Sequence, residues 1–119
     1  METLAPEIPS LLGVHKKDLS REIVYEVKMA GEDLPFSIAI ADIQQSQPHY
    51  HNHTIETYTV VQGDIEVRLN DERRALRPGE IVLIEPGTVH SARTLGDMPA
   101  RVVVVCVPEW QPEDYHPVD

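Results

Sequence analysis

The chain has 119 residues, of which 20 are acidic and 10 basic, giving a formal net charge of -10 with 41% hydrophobic content. That length suits one domain with a real core, and the excess negative charge argues against a nucleic-acid or anionic membrane partner. The longest apolar run, Val102 to Val107, is too short to cross a bilayer, the amino terminus lacks signal-peptide character, and the single cysteine, Cys106, excludes an internal disulfide, so a cytoplasmic protein is expected.

In chain order, Met1 to Gly13 mixes Leu4, Ile8, Leu11 and Leu12 with proline and glycine breaks, which predicts an extended arm rather than a helix. Ile23 to Val27 predicts an extended run, Gly31 to Pro35 a turn, and Phe36 to Ile43 a strand with Phe36, Ile38 and Ile40 on its dry face. Ile55 to Val61 and Ile65 to Leu69 predict a hairpin across Gln62-Gly63-Asp64, with glycine where positive φ is needed. Asn70 to Arg73 and Arg77 to Glu80 predict turns, and the charge run from Asp71 to Arg74 belongs to the first of them. Ile81 to Ile84 and His90 to Thr94 follow as short strands, Leu95 to Pro99 as a loop, and Arg101 to Val107 as a fully buried strand. The tail, Pro108 to Asp119, should run extended over the surface and across the mouth of the fold. Many short strands and no repeats make this an all-β chain, a sandwich or a barrel. The expected division is an arm at 1-20, a barrel at 21-107 and a tail at 108-119 of one domain.

Two clusters carry chemistry. His49 and His51 lie two apart, so one extended segment can offer both rings on one face, and Glu56 opens the next run. His90 follows the Pro86-Gly87 turn and can approach from another part of the wall. Three imidazoles and one carboxylate suit Fe(II), Mn(II), Zn(II), Ni(II) or Cu(II), whereas Ca(II) prefers cages of oxygen. His49-x-His51, four residues, Glu56, six residues, Gly63 resembles the first motif of the cupins, and Gly79, five residues, Glu85-Pro86-Gly87, two residues, His90 resembles their second. Ile43, Glu85 and Thr94 stand where the family more often has glycine, proline and asparagine.

The resemblance implies a double-stranded β-helix, or jelly roll, with His49, His51, Glu56 and His90 as ligands of one divalent transition metal per chain. It also implies a homodimer, because small cupins often exchange amino-terminal strands, and a small oxygenated molecule as substrate. Oxygenase chemistry stands slightly ahead of isomerase or lyase chemistry, with a non-catalytic module that binds a sugar or organic acid as the alternative. Glu56 and Tyr58 share the inward parity and are the candidate catalytic residues. His53 has the parity of the ligand histidines and is their rival, although it falls where the chain should bend. Cys106, in a valine run, is expected in the core rather than as a nucleophile. Basic residues in the pocket would favour an anionic ligand, and the lack of a second acid or base would favour binding without turnover.

Overall fold

The computed structural model describes residues 14-27 and 35-119. The expected arm over residues 1-13 and the turn over 31-34 lie outside the described residues. Among the described residues, eleven strands form two antiparallel sheets. The larger has the order β1 (Val14–Leu19), β2 (Glu22–Val27), β3 (Ser37–Ile43), β10 (Ala100–Val107), β5 (Ile55–Gln62), β8 (Ile81–Ile84). The smaller runs β11 (His116–Pro117), β4 (His49–Tyr50), β9 (His90–Thr94), β6 (Ile65–Leu69), β7 (Glu72–Leu76). The two sheets face each other as a jelly roll, and no helix among the described residues is long and apolar enough to cross a membrane.

Strand alternation decides what each face carries. Along β5, Glu56, Tyr58 and Val60 are buried while their neighbours point outward. Register places Val102 of β10 opposite Val60, Val104 opposite Tyr58, and Cys106 opposite Glu56. The interior is therefore graded along the strands. One end is an apolar core built from Ile43, Val60, Ile65, Val67, Ala92 and Val102, all at most 3% exposed. The other end carries the polar residues of the site. Burying side chains of this size stabilises the fold by about 1.5 to 3 kcal/mol each, which fixes the strands from which the polar end projects.

Four sequence expectations are corrected. The strands β5 and β6 do not form a hairpin: β5 pairs with β10 and β8, while β6 pairs with β7 and β9. Both edges of each strand are taken, so the Gly63 turn carries the chain from one sheet to the other. Gly63 has φ 79°, and a Cβ there would lie 3.3 Å from Ala100 Cα, so the corner requires glycine on both counts. The charged run from Glu72 is strand β7, joined to β6 by a two-residue turn in which Asn70 has φ 53°. Its exposed charges suit a sheet edge, which they protect from pairing with other chains.

The parity of β3 is also reversed. Ala41 and Ile43 are buried, with Ala39 on the same side, while Ile38 and Ile40 lie on the outer face. Small side chains on the inner face leave room for a cavity. Finally, β10 is not buried throughout, since Val103 and Val105 share the outer face with Ile38, Ile40, Ile23 and Tyr25. Residues 14-19, placed with the arm from sequence, pair along their whole length with β2.

Candidate metal centre

His49 is held by the short pairing of β4, directly opposite His90 of β9. His51 follows just beyond the end of β4, and Glu56 lies on the inner face of β5 between Ile84 and Cys106. All four are buried, and one ligand atom from each lies within 4.8 Å of the others. The ring centroids of His49 stand 4.3 Å from His90 and 4.9 Å from His51. The residues that the motifs single out as ligands thus converge on one point at the polar end of the barrel.

Hydrogen bonding aims them. The Nδ1 atoms of His49, His51 and His90 lie 2.6, 2.8 and 3.0 Å from the carbonyl oxygens of Gln47, Asp114 and Thr88. A carbonyl only accepts, so each Nδ1 carries the proton and donates, and in a neutral ring Nε2 keeps a free lone pair. This is the tautomer in which imidazole binds a metal, with the other nitrogen anchored by the protein. The Nε2 atoms of His51 and His90 and Oε1 of Glu56 are fully buried, yet none has a hydrogen-bond partner. His90 Nε2 approaches Glu56 Oε1 to 2.8 Å without hydrogen-bond geometry. Buried polar atoms are almost always satisfied, and three electron-rich atoms turned on one point could be satisfied together by a cation.

The surroundings agree. Burial, followed by the nearby His90, pushes His49 down to about 4, so its ring is neutral at physiological pH. Burial would raise the Glu56 carboxyl, but His90, His51 and His49 outweigh it and hold it below its ordinary value. The Cys106 thiol donates to Glu56 Oε2 at 3.5 Å, and burial and Glu56 push that thiol up, so it is a buried donor rather than a nucleophile.

The centre opens into a cavity of about 730 Å³ bounded by β1, β2, β3 and the tail. Tyr58 lines it from β5, with its ring edge-on to His90. Burial raises the Tyr58 phenol well above its ordinary value, so it stays protonated. His53 is exposed and its backbone N–H donates to Asp114, so it stands outside the cluster.

Sequence reasoning missed three contributors. Asp114, 7% exposed, accepts from the backbone N–H groups of Asn52 and His53 at 2.7 and 3.0 Å, while its carbonyl takes His51. Burial raises its carboxyl, but those two N–H groups hold it below the ordinary range. Tyr115 packs 4.6 Å from the His49 ring. The tail is therefore a wall of the site, and its acids and aromatics were the available signal. Glu22, on the inner face of β2, lines the same cavity. Burial first, and then repulsion from Glu56, push it up to about 7.

Comparison with known proteins places this geometry. A family model described as Cupin domain matches residues 39–106. An uncharacterised protein of Methanocaldococcus jannaschii is 26% identical over 66 residues, 56% of this chain and 53% of that protein. Protein SchB of Streptomyces halstedii is 40% identical over 55 residues, 46% of this chain and 40% of SchB. These matches span about half, or less, of the length of the curated relatives. Among solved structures, Streptomyces Pac13, a nucleoside dehydratase, superposes with a TM-score of 0.78 at 14% identity, covering 96% of this chain and 92% of Pac13. At that identity the likeness is one of fold.

Proposed function

The chain belongs to the cupin family, and we propose that it is a metal-dependent enzyme acting on a small, electrically neutral, oxygen-bearing molecule. The observation that carries this is the set of three buried, unpartnered atoms on His51, Glu56 and His90, beside a cavity large enough for a metabolite. His49, His51 and His90 through Nε2, and Glu56 through Oε1, would hold one Fe, Mn, Zn, Ni or Cu ion. Such an ion supplies Lewis acidity or a water of lowered pKa, and, if it is iron, access to dioxygen.

The rest is done by the chain itself. Glu22, Glu26, Glu56 and Glu109 line the cavity against one basic residue, Lys17. Lys17 is already engaged, 3.2 Å from Glu26 and 4.3 Å from the centre of the Trp110 ring. Even with a divalent ion bound, the four lining carboxylates would outnumber the positive charges of the ion and Lys17, so a neutral ligand is favoured over a carboxylate or phosphate. Trp110 and Tyr115 offer flat apolar surface for a ring or carbon chain, and the protonated Tyr58 can donate to a substrate oxygen. A nucleoside such as the uridine held in structures of Pac13 has this neutral, hydroxyl-rich character and is a sensible first probe.

The second acid, Glu22, favours turnover over a binding module. Elemental analysis of untagged protein, followed by calorimetric titration with uridine and small neutral polyols and hydroxyketones, tests the reading. Bound transition metal and a neutral ligand whose binding needs that metal support it, and a metal-free protein that prefers anions overturns it. We also propose a homodimer. The outer face of the larger sheet is apolar, and Val61, Ile81 and Leu83 are 47%, 62% and 55% exposed, a surface that a second copy would cover. Light scattering that gives a monomer mass would refute this.

A further inference from the structure

We propose that Glu22 is the acid/base residue of this site, moving a proton between its carboxylate and a carbon next to a carbonyl of the bound substrate. The inference rests on the metal-enzyme reading above and names its reaction class, isomerase or lyase rather than oxygenase.

The geometry points to Glu22 by elimination. The other titratable groups nearest the centre are committed, and Glu109, which also lines the cavity, is exposed to solvent. The three histidines give Nδ1–H to carbonyls and turn Nε2 towards the ion site. Glu56 receives Cys106 on one oxygen and faces the histidines with the other. Glu26 is paired with Lys17. Tyr58 and Tyr115 are pushed upward by burial and by Glu22 or Glu56, so at neutral pH they donate and do not accept. Glu22 has no hydrogen-bond or ion-pair partner among the described side chains, and it lines the cavity from the wall of β2. Register sets it opposite Ile43, and the small Ala41 and Ala39 follow on the inner face of β3, so the strand leaves room on the side where the cavity lies.

Its charge suits the task. The push up to about 7 comes from burial and from Glu56, partly offset by His90. A divalent ion held beside Glu56 would offset that repulsion and favour the ionised form of Glu22, the form that accepts a proton. The step balances without a co-reactant. Glu22 takes the proton, the C–H electron pair becomes the C=C bond of an enediolate, and the carbonyl π pair moves to oxygen. Glu22 then returns the proton to the former carbonyl carbon while the hydroxyl on the first carbon passes its own proton to the former carbonyl oxygen and becomes the new carbonyl, which isomerises the substrate. Alternatively the oxyanion re-forms its carbonyl and the C=C pair moves to the α–β bond, expelling a β-hydroxyl that takes the proton from Glu22 and leaves as water.

The test uses full-length zinc-loaded protein with 1,3-dihydroxyacetone in D2O, following loss of C–H signal by proton NMR, with zinc affinity measured separately by chelator competition. Exchange faster than with free zinc in the wild type, reduced about 100-fold in Glu22→Gln and partly recovered in Glu22→Asp at unchanged zinc affinity, is the expected result. Unchanged exchange in Glu22→Gln, or no acceleration by wild type that holds zinc, overturns the role of Glu22. Failure to bind zinc at all overturns the metal reading and this proposal together.

Discussion

Replacing Glu22 by glutamine should make the metal-free protein more stable at alkaline pH. In the folded chain the carboxyl is pushed from 4.5 up to about 7 by burial and by Glu56. Because the folded value is the higher one, the folded state holds a proton that the unfolded chain has lost between those limits. The contribution of Glu22 is fully present below about pH 4.5 and declines as pH rises through 7. Its ionised form then costs about 3 kcal/mol, from a shift of roughly 2.5 units at 1.36 kcal/mol each. Glutamine keeps the shape and cannot ionise, so it should recover much of that amount at pH 8 and little at pH 4.5. Urea denaturation of the chelator-treated protein at both pH values, at constant slope, reads the difference. Equal or lower stability of Glu22→Gln at pH 8 would refute the argument that this carboxyl is held dry beside Glu56.

Other expectations follow from single contacts. Asp114→Asn keeps one acceptor oxygen and sets an NH2 against a backbone N–H of the Asn52-His53 turn, so stability should fall by about 2 kcal/mol and zinc affinity by about 10-fold as the loosened tail shifts the backbone carbonyl that accepts from His51; denaturation and chelator competition measure both, and an unchanged affinity would count against the tail as a wall of the site. Gly63→Ala meets both positive φ and Ala100 and should cost about 1 to 3 kcal/mol, read as a lowered melting temperature. His49 is held down to about 4 by burial and His90, so its folded value lies below the unfolded one; its contribution is complete above about pH 6.5 and is lost as pH falls through 4. Metal-free His49→Gln should therefore show a shallower loss of stability over that window, and a slope equal to wild type would contradict it.

The buried cluster of His49, His51, Glu56 and His90 was legible because it is written in residue types. His-x-His, a carboxylate and a histidine after a Pro-Gly turn keep their meaning whatever strands surround them. Pairing was less legible. Gln62-Gly63-Asp64 has the chemistry of a hairpin turn, and only the distant strands β10 and β9, which fill the edges that a hairpin would have used, turn it into a crossing between sheets. In β2 the alternation of Ile23, Tyr25 and Val27 against Glu22, Val24 and Glu26 suggests an apolar inner face, whereas the acids face inward around the cavity. Glu22 was hidden by that inversion. The β7 strand was hidden by its charges, and Asp114 by distance, since its partners lie some sixty residues away in the chain.

The central claim is that His49, His51, Glu56 and His90 together hold one metal ion. X-ray absorption at the zinc edge of the loaded protein, beside a His51→Ala/His90→Ala variant, tests it most directly. The account predicts three imidazole nitrogens at about 2.0 to 2.1 Å with oxygen completing the sphere, and loss of both that signature and stoichiometric zinc in the variant. A sphere containing sulfur, fewer than two imidazoles, or a variant that binds as wild type would contradict it.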